Sequence, residues 1–96
     1  MSDRVAIAVR GDVDAHTAPQ LHAVIKTTLE DCSVIELDMG ELGFLDSSGL
    51  SVIAGAANDL APLGGRLLIR QPTPSLLSLL EIADMARFVD IVDQLA

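Results

Sequence analysis

The chain has 96 residues, half of them hydrophobic, with Phe44 and Phe88 as its only aromatics. Six Lys and Arg against 14 Asp and Glu give a formal charge of −8, which repels phosphate backbones, and two phenylalanines make no stacking platform for bases, so no direct nucleic-acid partner is expected. The apolar stretches are short and broken by Gly, Asp or Ser, and Met1-Ser2-Asp3-Arg4 lacks the cationic-then-apolar order of a secretory signal, so we expect no membrane partner and a cytoplasmic protein.

This length predicts one domain, residues 1–96, with a single core. Val5 to Val9, between Arg4 and Arg10, predict a first strand that Gly11-Asp12 ends. Asp14-Ala15-His16-Thr17 leads into a helix, with Thr17 or Asp14 as its cap and Pro19 tolerated in the first turn. Ala18, Leu21, Ile25 and Leu29, widened by Val24, form an apolar stripe expected to lie on a sheet. Cys32, the single cysteine, allows no internal disulfide and no metal-ligand spacing, and reads as a small packing residue.

Val34 to Leu37 predict the next strand, and Gly43-Phe44-Leu45 makes a short apolar approach to Asp46-Ser47-Ser48-Gly49-Leu50. From there Leu50, Ile53, Ala54, Ala57 and Ala61 recur at helical spacing, so the serines open a helix running from about Ser48 to Leu60, which Gly64-Gly65 closes. Arg66 to Arg70 reads as a strand. Pro72 and Pro74 mark a turn before a short helix carrying Leu76, Leu77 and Leu80, and Phe88 to Val92 reads as the last strand. Residues 92–96 leave room for about one helical turn at roughly 1.5 Å per residue. Strands alternating with helices predict an α/β domain with parallel pairs and right-handed crossovers.

A helix start has unpaired backbone N–H groups and the positive end of the helix dipole, so it favours polar caps and tolerates added phosphate. Asp46, Ser47 and Ser48 are all good capping residues, and capping alone accounts for them. A phosphorylation switch is the other reading, and the two coexist. An enzyme would use Ser47 as nucleophile with His16 or His22 as base. No G-x-S-x-G elbow supports that, and His22 falls inside an amphipathic helix where a surface place is simpler. No phosphate-cradling G-x-x-x-x-G-K-[ST] loop is present, so a phosphate on serine has to come from another protein. We therefore expect no catalytic residue, no cofactor and no metal ligand.

Gly11-Asp12-Val13-Asp14, followed by Ala18 and Leu21, resembles the early G-x-x-D element of STAS domains, the sulfate transporter and anti-sigma factor antagonist family. Phe44-Leu45-Asp46-Ser47-Ser48-Gly49-Leu50 resembles that family's diagnostic motif, and Gly64-Gly65 before a strand and a proline-led helix near Pro74 are similar to its order of elements. The resemblance covers most of the chain. It implies an α/β, STAS-like single domain with a mixed β-sheet of about four strands flanked by helices. It also implies a bacterial anti-sigma factor antagonist that, unphosphorylated, binds an anti-sigma factor with serine kinase activity and releases a sigma factor. Phosphorylation then switches the antagonist off, and a phosphatase restores it.

By position in the motif, Ser47 is the implied phosphate acceptor and Ser48 the second choice. Asp14, Asp46, Ser47, Ser48, Gly49 and Leu50 are the implied partner surface, with Gly49 admitting a close partner backbone. Asp14 reads equally as an ordinary turn acid or helix cap, and Asp38 as structural. The alternative function is a STAS adaptor subunit of a transporter complex, binding an ATPase or membrane subunit without a phospho-switch. Many relatives have a further strand before the first one here and finish with a well-formed helix, so an edge strand is expected to be missing. A monomer that enters heteromeric complexes is expected.

Overall fold

The computed structural model describes residues 4–85 and 88–92. The elements are β1 (Arg4–Val13), α1 (Ala18–Leu29), β2 (Val34–Leu45), α2 (Ser47–Leu60), a 3-10 turn (Ala61–Leu63), β3 (Arg66–Arg70), α3 (Pro74–Ile82) and β4 (Val89–Val92). The strands lie in the order β1-β2-β3-β4. The expected α/β class, four strands flanked by helices, is borne out. One detail is corrected: all three described pairings are parallel, so the sheet is not mixed among these residues. The reason is topological, since every connection contains a helix that carries the chain back to the end where the previous strand began.

Parallel neighbours in sequential order, joined by right-handed crossovers, place every helix on one face of the sheet. The strand pattern agrees. Ile35, Leu37 and Met39 of β2 and Leu67 and Ile69 of β3 alternate inward and are buried beneath Ala18, Leu21 and Ile25 of α1, Ile53, Ala57 and Leu60 of α2, and Leu76 and Leu80 of α3. Val24, expected in the α1 stripe, is 47% exposed because it sits one position off the row formed by Leu21 and Ile25. Cys32 is buried, and its thiol donates to the Val34 carbonyl at 2.9 Å. No described helix is long and apolar enough to cross a membrane. The expected turn in residues 93–96 lies outside the described residues.

β1 does not end at Gly11. The strand continues to Val13 because two register shifts, between Ala8 and Arg10 and between Gly11 and Asp12, are taken up by one extra residue each in the facing β2, while Gly11 bends β1 with a positive φ of 74°. The extension brings Val13 alongside Leu45, so the end of β1 meets the start of α2.

On the face away from the helices, Glu36 is the one buried charged residue among those described, at 6% exposed. Arg70 Nε donates to its Oε2 at 2.6 Å, while Arg4 donates to Oε1 through Nε at 3.2 Å and through its terminal nitrogen as well. Arg66 and Asp90 pair beside this triad. The Arg70 hydrogen bond, then that of Arg4, hold the Glu36 carboxyl below its ordinary range, outweighing the upward push of burial. A depressed folded-state value contributes stability that is complete above the unfolded value and lost as pH falls through the folded one. Denaturant titrations at descending pH should therefore show stability falling once the pH drops below the usual glutamate range. Glu36→Gln should flatten that slope while lowering stability at neutral pH.

Candidate functional site

The site forms where β2 gives way to α2. Asp46 is the N-cap, with an extended backbone, and its Oδ1 accepts from the amides of Ser48 at 2.8 Å and Gly49 at 3.3 Å. Its own amide donates to the Val13 carbonyl at 3.1 Å, which ties the helix start to the end of β1. The capping belongs to Asp46, so α2 does not depend on either serine hydroxyl for its start. Ser47 is the first helical residue and is exposed, whereas Ser48 is half-buried. Asp46→Ala should cost about 1 kcal/mol, the usual loss for an N-cap carboxylate, read as a lower urea midpoint at unchanged slope.

Asp14 is close in the chain to this junction but has a structural task. Its Oδ1 accepts from the amides of His16 and Thr17, each at 3.0 Å, and its carbonyl accepts from Thr17 and Ala18. The Thr17 amide is the main reason its carboxyl stays below the ordinary range. Thr17 is the formal N-cap of α1 but makes no capping bond itself, and its hydroxyl donates to the Asp12 carbonyl at 2.9 Å. Of the two capping candidates in the sequence, the side-chain work falls to Asp14. Asp38 accepts from the Gly40 amide at 3.0 Å, a local turn contact that agrees with a structural role.

Gly49 requires a correction. It is buried, and a Cβ placed there would meet Leu45 Cγ at 2.7 Å and Val13 Cγ1 at 2.9 Å. The close approach that glycine allows is between α2 and the protein's own strand ends, not between this turn and a partner. Leu50, half-buried, does reach the surface of the site.

Ser47 stands at the edge of a cavity of about 560 Å³. One wall is Leu42 to Leu45, Asp46 and Leu50, and the other is the α3 side, with Thr73, Ser75, Leu76, Ser78 and Leu79. Among the described residues lining it, Asp46 is the only charged one. Asp12 lies close by, its carboxylate against Gly43. Phe44, 56% exposed among the lining residues, was not read as a surface residue from the sequence, although an aromatic at the start of the motif was a usable signal. Ser75, Ser78 and Leu79 gave no such signal, because only the folded chain brings α3 beside the motif. Neither His16 nor His22 lines the cavity, and both are exposed.

Comparison with known proteins bears on the fold and the family. A family model described as "Mlab, STAS domain" matches residues 1–93. The anti-sigma-B factor antagonist of Listeria monocytogenes is 29% identical over 91 residues, covering 94% of this chain and 80% of the relative. The anti-sigma factor antagonist SpoIIAA in its unphosphorylated form superposes with a TM-score of 0.80 at 24% identity, covering 97% of this chain and 82% of the other. The Bacillus cell fate determinant SpoIIAA in its phosphorylated form gives the same TM-score and identity, covering 97% and 84%.

Proposed function

The chain belongs to the STAS domain family, and from that membership we propose that it is an anti-sigma factor antagonist controlled by phosphorylation at Ser47. The observation that carries the proposal is the division of labour at the α2 start: Asp46 makes the cap, and the neighbouring Ser47 is exposed. An exposed hydroxyl at the first helical position is accessible to a kinase and can gain a phosphate without unfolding the helix, since the dipole there favours negative charge. That a relative of the same fold has been solved in a phosphorylated form supports the switch, and the names of the curated relatives support the anti-sigma partner. Ser48, half-buried and adjacent to its own amide's bond to Asp46, is the second choice.

Unphosphorylated, the protein binds its anti-sigma factor through the surface around Ser47 and so frees a sigma factor. The anti-sigma factor is also the serine kinase, and a phosphatase reverses its action. We assign Ser47 the role of phosphate acceptor rather than nucleophile, a reading supported by its cavity holding neither His16 nor His22. Incubation with anti-sigma kinases of the same organism and ATP, followed by mass spectrometry, should place one phosphate on Ser47. Absence of that phosphate with every such kinase would sink the switch, and phosphate on Ser48 alone would move it by one residue.

A further inference from the structure

β2 runs from Val34 to Leu45, but β3 pairs only with Val34 to Asp38. Beyond Asp38, the pairing of β2 is to Arg10–Val13 of β1 on one side, and among the described residues no strand occupies the other. β3 has ended by then, the chain turns through Gln71 at a φ of 54°, and α3 follows. The 560 Å³ cavity is lined by residues 42–45 of this edge and by α3, and Ser47, which follows them in the chain, lines it as well. A strand edge presents a row of backbone donors and acceptors that only another extended chain satisfies in register. The walls on either side of the row are mainly apolar, with Leu42, Phe44 and Leu50 on one and Leu76 and Leu79 on the other, where Thr73, Ser75 and Ser78 add hydroxyls.

We propose that this slot receives an extended segment of the anti-sigma factor, added as a strand beside residues 42–45 of β2, with apolar side chains at alternate positions and a neutral or basic residue at the Ser47 end. The proposal rests on the anti-sigma reading for the identity of its occupant. Strand addition accounts for the backbone edge, and alternate apolar side chains for the walls. The charge at the Ser47 end follows from Asp46 within the cavity, Asp12 beside Gly43, and the chain's net −8. A second copy of this chain brings another −8 to an acidic site and is disfavoured by repulsion. Docking here also holds the kinase next to its acceptor, so one contact serves both the bound state and its own termination.

The probes are the purified anti-sigma kinases of the source organism, each mixed with this protein and followed by amide hydrogen exchange. Binding should slow exchange about tenfold or more at those amides of residues 42–45 that point away from β1. Ser75→Trp and Ser78→Trp replace exposed residues on the α3 side with bulk and should weaken the complex about tenfold or more, about 1.4 kcal/mol, with unchanged circular dichroism. A kinase that binds while those amides exchange as before overturns the slot and leaves the anti-sigma reading intact. Failure of every kinase to bind removes that reading and the occupant with it. If the same amides become protected as this protein alone is concentrated, the occupant is a second copy and the proposal is wrong.

Discussion

Ser47→Asp should lower affinity for the anti-sigma factor about a hundredfold, about 3 kcal/mol, while leaving the far-ultraviolet circular dichroism and the thermal midpoint nearly unchanged. The separation of the two readouts follows from the site. A carboxylate at the first position of α2 meets the positive end of the helix dipole, worth about 0.3 to 1 kcal/mol, so the fold tolerates it. The interface does not, because among the described residues the cavity beside Ser47 is lined by Asp46 and by no Lys or Arg that would receive a second negative charge. Binding would have to strip water from that charge and press it against a like one. A phosphate carries roughly −1.5 to −2 and should weaken binding further than aspartate. Ser47→Ala, which keeps the surface neutral, should bind as the unmodified protein does and no longer respond to kinase and ATP. Calorimetric titration of the three forms checks all of this, and equal affinities would refute the electrostatic mechanism.

Much of the fold was legible because several elements announce themselves locally. α2 has a capping carboxylate followed by apolar residues at helical spacing, and β3 is an apolar run between Gly64-Gly65 and Pro72. What stayed hidden depends on backbone events or on distant neighbours. The continuation of β1 through Gly11 rests on two bulges in the facing β2, which the sequence of β1 itself does not show. Gly49 faces inward, and glycine has no side chain to signal which face it occupies. The sequence predicts a strand only over Val34 to Leu37 and a short apolar approach at Gly43-Phe44-Leu45, since Gly40 and Gly43 interrupt the run, yet β1 holds the whole stretch in the sheet. The cavity joins residues some thirty positions apart, and its α3 wall consists of ordinary serines and leucines until β3 and the Gln71 turn place them. Motif residues thus identified the turn, and only the assembled sheet revealed the apolar slot beside it.

Gly65→Ala should be the most damaging single-methyl substitution at a glycine, costing about 3 kcal/mol and lowering the thermal midpoint by roughly 12 to 24 °C. Gly65 donates to the Leu60 carbonyl at 2.9 Å as the chain leaves α2, and the next amide, Arg66, donates to the Ser33 carbonyl at 3.0 Å, which sets β3 against β2. A Cβ at Gly65 would collide with that same Ser33 carbonyl oxygen and crowd Leu60 Cδ2 at 3.0 Å. The obstacle is backbone, so relief requires moving β3 away from the strand whose side chains form the centre of the core. Gly49→Ala is the informative contrast. Its new methyl meets side-chain atoms of Leu45 and Val13, which can shift, and alanine regains up to about 1 kcal/mol of helix propensity. Its net cost should therefore be smaller, about 1 to 2 kcal/mol, but it falls at the junction that positions Ser47. Gly65→Ala should lose stability out of proportion to any change in partner affinity of the folded fraction, whereas Gly49→Ala should alter phosphorylation of Ser47 even where the protein remains folded. Denaturation midpoints set beside phosphorylation rates for the two variants test the contrast, and a Gly65→Ala protein as stable as the parent would contradict the close strand contact on which the β2–β3 register depends.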